Sequence, residues 1–476
     1  MGYTQKVVIV GAGISGLACA YRLRQLGIPC LVLEAQGQPG GAIASARRDG
    51  FLVELGPQCP RFPAAVWQMV KDLRLENEFV TGDPAVKRYI YRRGILHSAP
   101  FSPVGILTTP LIGLSTKLRL LAEPLRNTRP PEREETLAEF VTRKFGADFV
   151  DNLVDPVVST IFFGDASRMG MESAFSDLVK WEREHGSLVR GAIRARNSKR
   201  ESNGNGRSMK VTDALPSLGS FQSGMGRLPE RLAEHLREQV HYGARVESVA
   251  RVDELEHEST GAWQIRLAEG ETITAEQVIL SLPAYEAARV LEAGVPSLSR
   301  ELQTLEYSAM TSVSIGYERG AVQNDLDGFG FMVPRKEGLS TICTFWNSSL
   351  FPGRAPEDKV LMTSFVRSDS AESSQDVLVR KVEAENAKIL GISGEPVTRQ
   401  VWSQPRALPQ YNVGHNKRVA GIRELLTTLP TLHLAGNYLE GRSIGECVEL
   451  AFAVAEELQG PAREAEVREV TRSSEE

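Results

Sequence analysis

The sequence is poor in the residues from which metal centres and disulfide frameworks are built. It contains five cysteines and seven histidines among 476 residues. The cysteines lack the spacing of metal ligands and the histidines form no cluster, so we expect no metal site and reduced thiols, which are typical of a cytoplasmic chain. The cysteines are Cys19, Cys30, Cys59, Cys343 and Cys447.

Long apolar runs and an excess of positive charge are also missing. No stretch of 18 apolar residues is present and no signal peptide precedes the first predicted strand, so we expect no membrane-spanning segment. A formal net charge of −5 and a pI near 6.0 argue against a nucleic-acid partner. The length is sufficient for two or three domains with ordinary apolar cores.

Glycine, by contrast, is plentiful, and its most informative cluster lies near the start of the chain. The pattern is a strand, a glycine-rich turn, a helix and a second strand, followed by an acidic residue. In order these are residues 7–10, Gly11 to Gly16 in the pattern G-x-G-x-x-G, residues 17–26, Cys30–Leu33 and Glu34. The arrangement predicts a Rossmann-type domain that binds a dinucleotide.

Each part of this motif has a physical role in binding a dinucleotide. Gly11 permits the tight turn, Gly13 lets a pyrophosphate approach the backbone, and Gly16 lets the helix pack closely on the strand. The N–H groups of the helix N-terminus bind phosphates, and Glu34 can accept hydrogen bonds from ribose hydroxyls. The predicted cofactor contacts of this region are Gly11, Ala12, Gly13, Ile14, Ser15, Gly16, Glu34, Ala35, Gly40 and Gly41.

A second glycine-rich turn near the other end of the chain favours FAD over NAD. Residues 433–435 form a strand pattern that leads into Gly436 and Asn437, and an apolar-periodic helix at 447–458 follows Gly445. A helix N-terminus approached by glycines attracts anions. It therefore suits the pyrimidine edge of an isoalloxazine, where negative charge develops on reduction. We predict an FAD site built from both ends of the chain.

The intervening chain changes character twice. Strand patterns give way to helical patterns between residues 100 and 196, which indicates a helical insertion, and the polar stretch at 198–210 predicts a mobile loop. Strand patterns then return, and the charged stretch at 461–476 is expected to be disordered.

The predicted fold class is α/β, with a Rossmann-type FAD-binding domain on a parallel sheet, a mixed or antiparallel second sheet and a helical insertion. One of the helices predicted within the insertion covers 149–158. The predicted later strands are 243–252, 263–267, 278–282, 310–317, 328–333, 340–344, 360–365 and 397–402, with helices at 220–238 and 375–390.

Several motifs resemble those of a known family. The chain is similar to the porphyrinogen oxidases of haem synthesis, within the flavin amine-oxidase superfamily, over nearly its whole length. GFGFMVP, LFPGRAP and PQYNVGH are specific to that group, whereas the first and last motifs below are found across the superfamily. The motifs are VIVGAGISGLACAYRL (8–23), ELGP (54–57), SFQSGMGRLPERL (220–232), GFGFMVP (328–334), LFPGRAP (350–356), ALPQYNVGH (407–415) and HLAGNYLEG (433–441).

The resemblance implies a reaction and a division of the chain. A porphyrinogen would lose hydrogens in two-electron steps to FAD, and O2 would reoxidise the flavin to give hydrogen peroxide, so the chemistry belongs to the cofactor and no catalytic base is assigned. The implied segments are FAD binding at 1–85, 211–284 and 416–460, substrate binding at 86–99 and 285–415, a helical and membrane-contacting region at 100–197, the loop at 198–210 and the tail at 461–476.

The resemblance also assigns roles to individual residues. Arg88 matches an arginine that clamps a substrate propionate, a task suited to a planar bidentate donor; an exposed strand arginine is the alternative. Trp402 is either a flavin neighbour or a core residue. The implied substrate wall is Phe329, Gly330, Met332, Val333, Phe345 and Phe365, and further FAD-lining positions are Ala42, Gly56, Pro57, Gln58, Val246, Gly436, Asn437, Arg442, Ser443 and Ile444.

Some positions depart from the family pattern. Gln38 replaces the usual arginine of E-x-x-x-R-x-G-G, Gln58 lies at a variable position, and Thr160 and Phe163 replace small residues beside the implied substrate pocket. The preferred substrate is protoporphyrinogen IX, with two propionates, and coproporphyrinogen III, with four, is the alternative. Another flavin oxidase or desaturase, and a non-catalytic FAD-binding partner protein, also remain open.

Membrane contact is the last open question. Leucines at 118, 121 and 125, with basic residues between them, fit an interfacial helix at 116–126 that would place the protein peripherally on the inner face of the cell membrane. A helix packed on its neighbours is the alternative interpretation. A homodimer also stays open, because some members of the family dimerise.

Overall fold

The computed structural model describes residues 4–83, 86–202, 218–252, 262–367, 374–440 and 443–459. Within these ranges, two seven-stranded sheets and their helices account for most of the structure. Most of the predicted loop at 198–210, the predicted disordered tail at 461–476 and Arg442 lie outside the described residues, whereas 198–202 belongs to a helix.

The elements follow the chain in this order. The strands are β1 (Thr4–Val10), β2 (Cys30–Leu33), β3 (Ser45–Arg48), β4 (Phe51–Glu54), β5 (Phe79–Thr81), β6 (Lys87–Arg92), β7 (Ile95–Ser98), β8 (Gly219–Phe221), β9 (Val240–His241), β10 (Val246–Arg251), β11 (Trp263–Leu267), β12 (Thr272–Leu280), β13 (Tyr307–Glu318), β14 (Gly328–Met332), β15 (Thr341–Phe345), β16 (Lys359–Val366), β17 (Thr398–Pro409) and β18 (Leu432–Leu434). The helices are α1 (Ile14–Gln25), α2 (Ala64–Asp72), α3 (Pro103–Thr108), α4 (Leu114–Ala122), α5 (Leu137–Phe145), α6 (Ala147–Phe149), α7 (Asp155–Phe162), α8 (Met171–His185), α9 (Leu188–Ser202), α10 (Arg227–His235), α11 (Ala284–Leu291), α12 (Pro296–Gln303), α13 (Asn347–Leu350), α14 (Gln375–Leu390), α15 (His415–Thr427) and α16 (Ile444–Glu457).

The first sheet has the parallel centre that the glycine motif predicts. β1 lies between β2 and β12, parallel to both, and β18 is parallel to β12. β10 and β11 extend the sheet in antiparallel fashion from the first half of β12. Val7 and Ile9 face the core beneath α1 and α16, and Val8 and Val10 face the opposite core. Burial on both faces is what a continuous apolar strand predicts.

The second sheet is mixed, as expected. Its order is β17-β13-β16-β15-β14-β6-β7, in which β14 and β6 are parallel and the other neighbours are antiparallel. Helix α14 covers one face, where its apolar residues pack against those of β13 and β16. The predicted α/β fold class is confirmed. The finer division of the chain into domain segments stays a prediction.

Three predicted elements differ locally from the structure. The helix expected from residue 220 begins at Arg227, because Gly219–Phe221 pairs with β5 and Gly224 takes a φ of 100° that a helix does not accommodate. The strand expected at 278–282 extends back to Thr272. The helix expected at 149–158 begins with a π-helical turn at Val150–Val154, ahead of α7.

A buried ionic network holds the helical region together. The Lys144 ammonium lies 2.6 Å from Glu182 and 3.7 Å from Glu123, and all three side chains are at most 2% exposed. Arg143 donates to Glu182 and to Glu135. Burial raises the pKa of Glu182, but the hydrogen bonds from Arg143 and Lys144 outweigh this effect and bring its pKa down to about 2.

We expect Glu182→Gln to lower the free energy of unfolding by about 3 kcal/mol, because it leaves the buried Lys144 without its close counter-ion. The depressed pKa means that the ionic contribution of Glu182 is present above about pH 4.5 and is lost as the pH falls towards 2. Denaturant unfolding at pH 7 and across the acid range measures both effects. Glu184→Gln, at an exposed pair, is the control; equal effects of the two variants would contradict the network's role.

Candidate functional site

Four parallel strands of the first sheet end in register at one edge. The strand ends that pair across the sheet are Leu33, Val10, Leu280 and Leu434. The residues that follow them are Glu34, Gly11, Ser281 and Ala435. Ligands of doubly wound sheets bind at the carboxyl ends of the strands. The two glycine-rich turns predicted from the sequence therefore begin at the same edge.

The three glycines of the first turn have different surroundings. A Cβ atom on Gly11 would lie 2.6 Å from the Ser281 carbonyl oxygen, and one on Gly16 would lie 2.0 Å from that of Gly11. These two glycines are required by the packing of the chain itself. A Cβ on Gly13 would meet no atom within 4 Å. Open space beside Gly13, at the N-terminus of α1, fits a pyrophosphate group.

Glu34 is buried at the end of β2 and binds the glycine turn directly. Its Oε2 accepts the N–H of Ala12 at 2.7 Å, and its Oε1 accepts the N–H of Gln36 at 2.8 Å. Each carboxylate oxygen retains a second lone pair, which can accept a hydrogen bond from a ribose hydroxyl. Ala35 is exposed beside it, and Ile14 and Ser15 open α1.

The glycine pair Gly40 and Gly41 packs against the first glycine-rich turn. The Gly40 N–H donates to the Ala12 carbonyl at 2.9 Å, and a Cβ on Gly41 would lie 3.3 Å from the Cα of Gly13. Gly56 lies beneath Ala42, since a Cβ there would be 2.0 Å from its carbonyl oxygen. The segment 40–42 therefore lies beside the open space at Gly13. Gln38 is exposed on the loop that leads to it.

Buried polar contacts fix the turn that contains Gly56, Pro57 and Gln58. The Gln58 amide donates to the carbonyls of Glu54 and Gly56 and accepts from Asn347 at 2.7 Å. Glu54 forms a fully buried ion pair with Arg354 at 3.1 Å. Burial raises the pKa of Glu54, although Arg354 opposes the effect. This pair joins the ELGP and LFPGRAP motifs.

The C-terminal turn lies between β18 and α16. The Asn437 carbonyl accepts a hydrogen bond from the Tyr411 hydroxyl, and Gly436 is packed against the Tyr438 ring, which a Cβ would meet at 2.2 Å. Ser443 caps α16 by accepting the N–H of Glu446 at 3.3 Å, and Ile444 is buried behind it. The capped end of α16 follows the strand end of β18, as the sequence predicts.

Two more predicted cofactor neighbours lie in the part of the chain between the two glycine-rich turns. Val246 begins β10, and its carbonyl accepts from Arg289 at 3.0 Å. Trp402 is 37% exposed, which excludes a fully packed core position. It lines a cavity of about 460 Å³ together with Leu55, the residue before Gly56. The cofactor contacts themselves stay predictions.

The predicted substrate positions form an aromatic row on the second sheet. Phe329 and Phe345 have ring centroids 5.4 Å apart, and Phe345 and Phe365 are 5.7 Å apart, both edge to face. Met332 packs in the same cluster. The Arg88 guanidinium lies over the Phe329 ring at 4.7 Å from its centroid. The row of aromatic side chains therefore ends at the positively charged guanidinium of Arg88.

Two members of the predicted wall have other roles. Val333 is fully buried on the opposite face, in the core beneath α14, because neighbouring strand residues alternate between faces. Gly330 has a φ of 133°, and a Cβ there would lie 1.9 Å from the Thr344 carbonyl oxygen. The packing of β14 on β15 therefore requires a glycine here, and the approach of a flat ring to its backbone stays a prediction.

Arg88 differs from the other basic residues of its strand. Lys87 is bound to Asp327 at 2.6 Å, and Arg92 donates to the Leu111 carbonyl. No ion pair to Arg88 forms within the described ranges. Burial lowers the pKa of Arg88, so the free energy of this site falls when an anion binds there. Arg88 is therefore suited to bind a carboxylate of a ligand.

Phe163 was noted in the sequence only as a departure from the family pattern. It ends α7 in the left-handed region, with a φ of 48° that is uncommon for a phenylalanine. Its ring packs against that of Phe365 at 5.0 Å, which extends the aromatic row. A bulky residue held in this conformation next to Gly164 marks a constrained loop at the pocket. Phe101, also absent from the predicted set, lies under Arg88 at 5.2 Å.

The described residues contain no helix that could cross a membrane, and they form no cluster of three or more metal-ligating side chains. Each of the five cysteines is a free thiol, and burial raises the pKa of all five.

The parallel strands with two glycine-rich turns at one edge define an α/β protein of the nucleotide-binding class, which carries a second, mixed sheet. The chain belongs to the flavin-containing amine oxidoreductase family, whose model matches residues 14–459. It is accordingly a flavin-dependent enzyme.

Two named relatives and one solved structure show which members of the family the chain is similar to. The chain is 30% identical to the chloroplastic protoporphyrinogen oxidase of Nicotiana tabacum, over 95% of this chain and 85% of that protein. It is 29% identical to the coproporphyrinogen III oxidase of Bacillus subtilis strain 168, over 93% and 95%. A crystal structure from Exiguobacterium sp. 255-15, described as a candidate protoporphyrinogen oxidase, superposes with a TM-score of 0.77 at 25% identity and covers 96% of this chain and 100% of that one. The predicted resemblance to the porphyrinogen oxidases is confirmed.

Proposed function

We propose that this protein is an FAD-dependent oxidase that converts protoporphyrinogen IX to the porphyrin, with O2 reduced to hydrogen peroxide. The observation that carries the proposal is the aromatic row of Phe329, Phe345 and Phe365, which ends at the guanidinium of Arg88. No carboxylate among the described residues pairs with this guanidinium. A tetrapyrrole has the same two parts, namely a broad apolar body and propionates at one edge. The named relatives are porphyrinogen oxidases.

FAD is the flavin that the site fits best. The open space beside Gly13 can accept a pyrophosphate, and the buried carboxylate of Glu34 can accept ribose hydroxyls. When bound, FAD supplies the hydride acceptor and passes the electrons to O2. The chain contributes the binding and orientation of cofactor and substrate. The domain segments stated above and the individual site residues remain parts of this proposal.

The residues of the second sheet orient the substrate. The phenylalanine rings exclude water and offer edges and faces to a flat macrocycle, which aromatic rings prefer to meet in offset or edge-to-face geometry. Arg88 binds one propionate region and so fixes which part of the ring faces the flavin. Holding the substrate in this orientation lowers the activation barrier of the hydride transfer, and no acid–base residue is needed for this effect.

The choice of protoporphyrinogen over coproporphyrinogen rests on the charge at the pocket. Of the four clustered basic residues, Lys87 is neutralised by Asp327, Arg92 is bound to a backbone carbonyl, and Arg93 lies exposed at a turn. Of these four, Arg88 is the residue that packs on the aromatic row. Besides burial, the charge of the exposed Arg61 lowers the pKa of Arg88, so a second cation lies near it. A pair of cations suits the two propionates of protoporphyrinogen better than the four of coproporphyrinogen. The Bacillus relative keeps coproporphyrinogen III as the second candidate.

Aerobic incubation of the purified protein with each porphyrinogen tests this function. We expect the appearance of porphyrin fluorescence together with peroxide, faster with protoporphyrinogen IX. A higher kcat/KM for coproporphyrinogen III would select the second candidate. Turnover of amines or polyenes in place of both porphyrinogens, or flavin binding without turnover, would overturn the proposal.

A peripheral contact with the membrane is also part of the proposed function. The leucines of α4 and of the short 3-10 turn after it are turned to solvent. Leu118 and Leu121 of α4 are each 58% exposed, and Leu125, at the end of the turn, is 87% exposed. This exposure favours the interfacial helix over the alternative of a helix packed on its neighbours, although Leu120 of α4 packs against the apolar cluster of Leu111 and Leu153. Basic residues accompany them at Lys117 and Arg119. An apolar face with basic neighbours favours the surface of an anionic bilayer.

An apolar cavity of the helical region lies next to the proposed substrate site. Its volume is about 340 Å³, and Phe101, whose ring lies under Arg88, is part of its wall.

We expect Leu121→Gln/Leu125→Gln to weaken binding to anionic phospholipid vesicles by at least about 10-fold, because the exposed leucines would enter the interface. Vesicle co-sedimentation measures the effect. Val377→Gln/Val397→Gln is the matched control, since these valines are exposed elsewhere, at 53% and 42%. Equal binding of both variants would argue against α4 as the contact.

A further inference from the structure

The motif PQYNVGH connects three parts of the molecule, a role that the proposed function does not yet use. It covers residues 409–415, between the end of β17 and the start of α15. The Val413 N–H donates to the Arg168 carbonyl, and the Gly170 N–H donates to the Tyr411 carbonyl at 2.8 Å, so the segment is bound to the helical region. The Asn412 amide donates to Glu306, next to β13.

Tyr411 extends from this segment to the C-terminal turn. Its side chain is 6% exposed, and its hydroxyl donates to the Asn437 carbonyl. The His415 ring packs against the Tyr411 ring, with centroids 4.6 Å apart, and is itself 2% exposed. The buried His415 ring therefore fixes the orientation of the Tyr411 ring, so that the Tyr411 hydroxyl donates to the Asn437 carbonyl.

Gln410, the preceding residue, extends to the other side. Its amide donates to the Phe162 carbonyl and to the Ser308 hydroxyl, each at 3.0 Å. Its Oε1 packs against Gly164, since a Cβ there would lie 2.8 Å away. Gln410 therefore fixes both sides of Phe163, the left-handed residue that extends the aromatic row.

We propose that Tyr411 is a positioning residue for the flavin, acting through the Asn437 carbonyl, while Gln410 positions the Phe163 loop for the substrate. The inference rests on the proposed flavin site at the turn after β18. In a planar trans peptide the N–H points away from the carbonyl. By fixing the Asn437 carbonyl, Tyr411 thus sets the direction in which the Tyr438 N–H is presented.

An ordered N–H donor stabilises the negative charge that develops on a reduced flavin. Loss of the Tyr411 hydroxyl leaves the Asn437 peptide free to turn, which weakens the binding of reduced flavin more than that of oxidised flavin. The midpoint potential of the bound flavin then becomes more negative. A residue with a purely structural role would lower the stability of the apoprotein without this bias between the two redox states.

The test compares Tyr411→Phe with the wild type. We expect flavin to dissociate about 3- to 10-fold more readily from the variant, as the loss of one hydrogen bond implies, and the midpoint potential to fall. Tyr21→Phe is the matched control, because its hydroxyl donates to Asp72 in the same sheet domain, away from Asn437. Thermal unfolding of the apoproteins checks that each variant folds.

Gln410→Leu tests the proposed role of Gln410 at the Phe163 loop separately from the role of Tyr411 at the flavin. We expect it to raise KM for the porphyrinogen about 5- to 10-fold while leaving the flavin affinity and potential unchanged. The inference is overturned if Tyr411→Phe matches the wild type in both flavin measurements, or if Gln410→Leu changes the flavin as much as Tyr411→Phe does. A wild-type protein that binds no flavin would overturn the proposed function itself, which distinguishes the two failures.

Discussion

Gly13→Val is expected to fold like the wild type and to bind flavin at least about 100-fold more weakly, which corresponds to ~2.8 kcal/mol. A Cβ at this glycine meets no protein atom within 4 Å, so the apoprotein has room for the new side chain. The isopropyl group would instead occupy the space next to the N-terminus of α1, where the pyrophosphate is proposed to bind. The absorbance of the purified protein and titration of the apoprotein with FAD measure the loss.

Gly37→Val is the matched control for this prediction. Gly37 lies on the exposed loop after Glu34, and its Cβ position is equally free of neighbours. The same substitution there should leave flavin binding within about twofold of the wild type. Retention of flavin by Gly13→Val would show that the phosphates bind elsewhere. Comparable losses in both variants would point to damage of the loop rather than to a blocked site.

Arg88→Leu is expected to lower kcat/KM for protoporphyrinogen by about 100-fold, because it removes the cation proposed to bind a propionate. Leucine keeps apolar contact with Phe329 and Phe101, the two rings that flank the guanidinium. Arg88→Lys should recover part of the activity, since it keeps the charge and loses the bidentate geometry. Steady-state kinetics with the flavin-loaded protein measures these effects.

The neighbouring Lys87 provides the control for Arg88. Its exposed ion pair with Asp327 lies on the other side of the same strand, and exposed pairs contribute little to stability. Lys87→Leu should therefore keep kcat/KM within about twofold. If Arg88→Leu behaved in the same way, the arginine would not bind the substrate, and the assignment of the aromatic row would lose its main support.

The strands, turns and helices that form the proposed cofactor end of the site could be predicted because their determinants are local. The register of β1, the glycine turn and α1 is encoded within some thirty consecutive residues, and Glu34 follows directly. The second contributing turn, after β18, could be found in the same way from its glycines and the helix that follows. Each of these signals depends on backbone geometry that only a few residue types allow.

The substrate end could be predicted only in part, because it depends on pairings between distant segments. The resemblance identified Phe345 and Phe365, but the face on which Val333 lies follows from the register of β14. The contact of Phe163 with Phe365 joins residues two hundred positions apart. No local pattern encodes such a contact.

The solvent exposure of the α4 leucines and the hydrogen bond from Tyr411 were likewise outside the reach of periodicity. A leucine repeat in a helix indicates an apolar face, but it does not reveal whether a neighbour covers that face. A single tyrosine hydroxyl gives no signal in the sequence for its acceptor. The tertiary structure supplies both facts.

Anaerobic addition of protoporphyrinogen IX to the purified, flavin-loaded protein tests the proposed function without interference from O2. We expect the oxidised flavin band to bleach as the porphyrinogen loses its first pair of hydrogens. On admission of O2 the band should return, and porphyrin and peroxide should then form over successive turnovers. Arg88→Leu should slow the bleaching, and Gly13→Val should show no flavin band to bleach. If the flavin of the wild-type protein stayed oxidised in the presence of both porphyrinogens, the proposed function would be wrong.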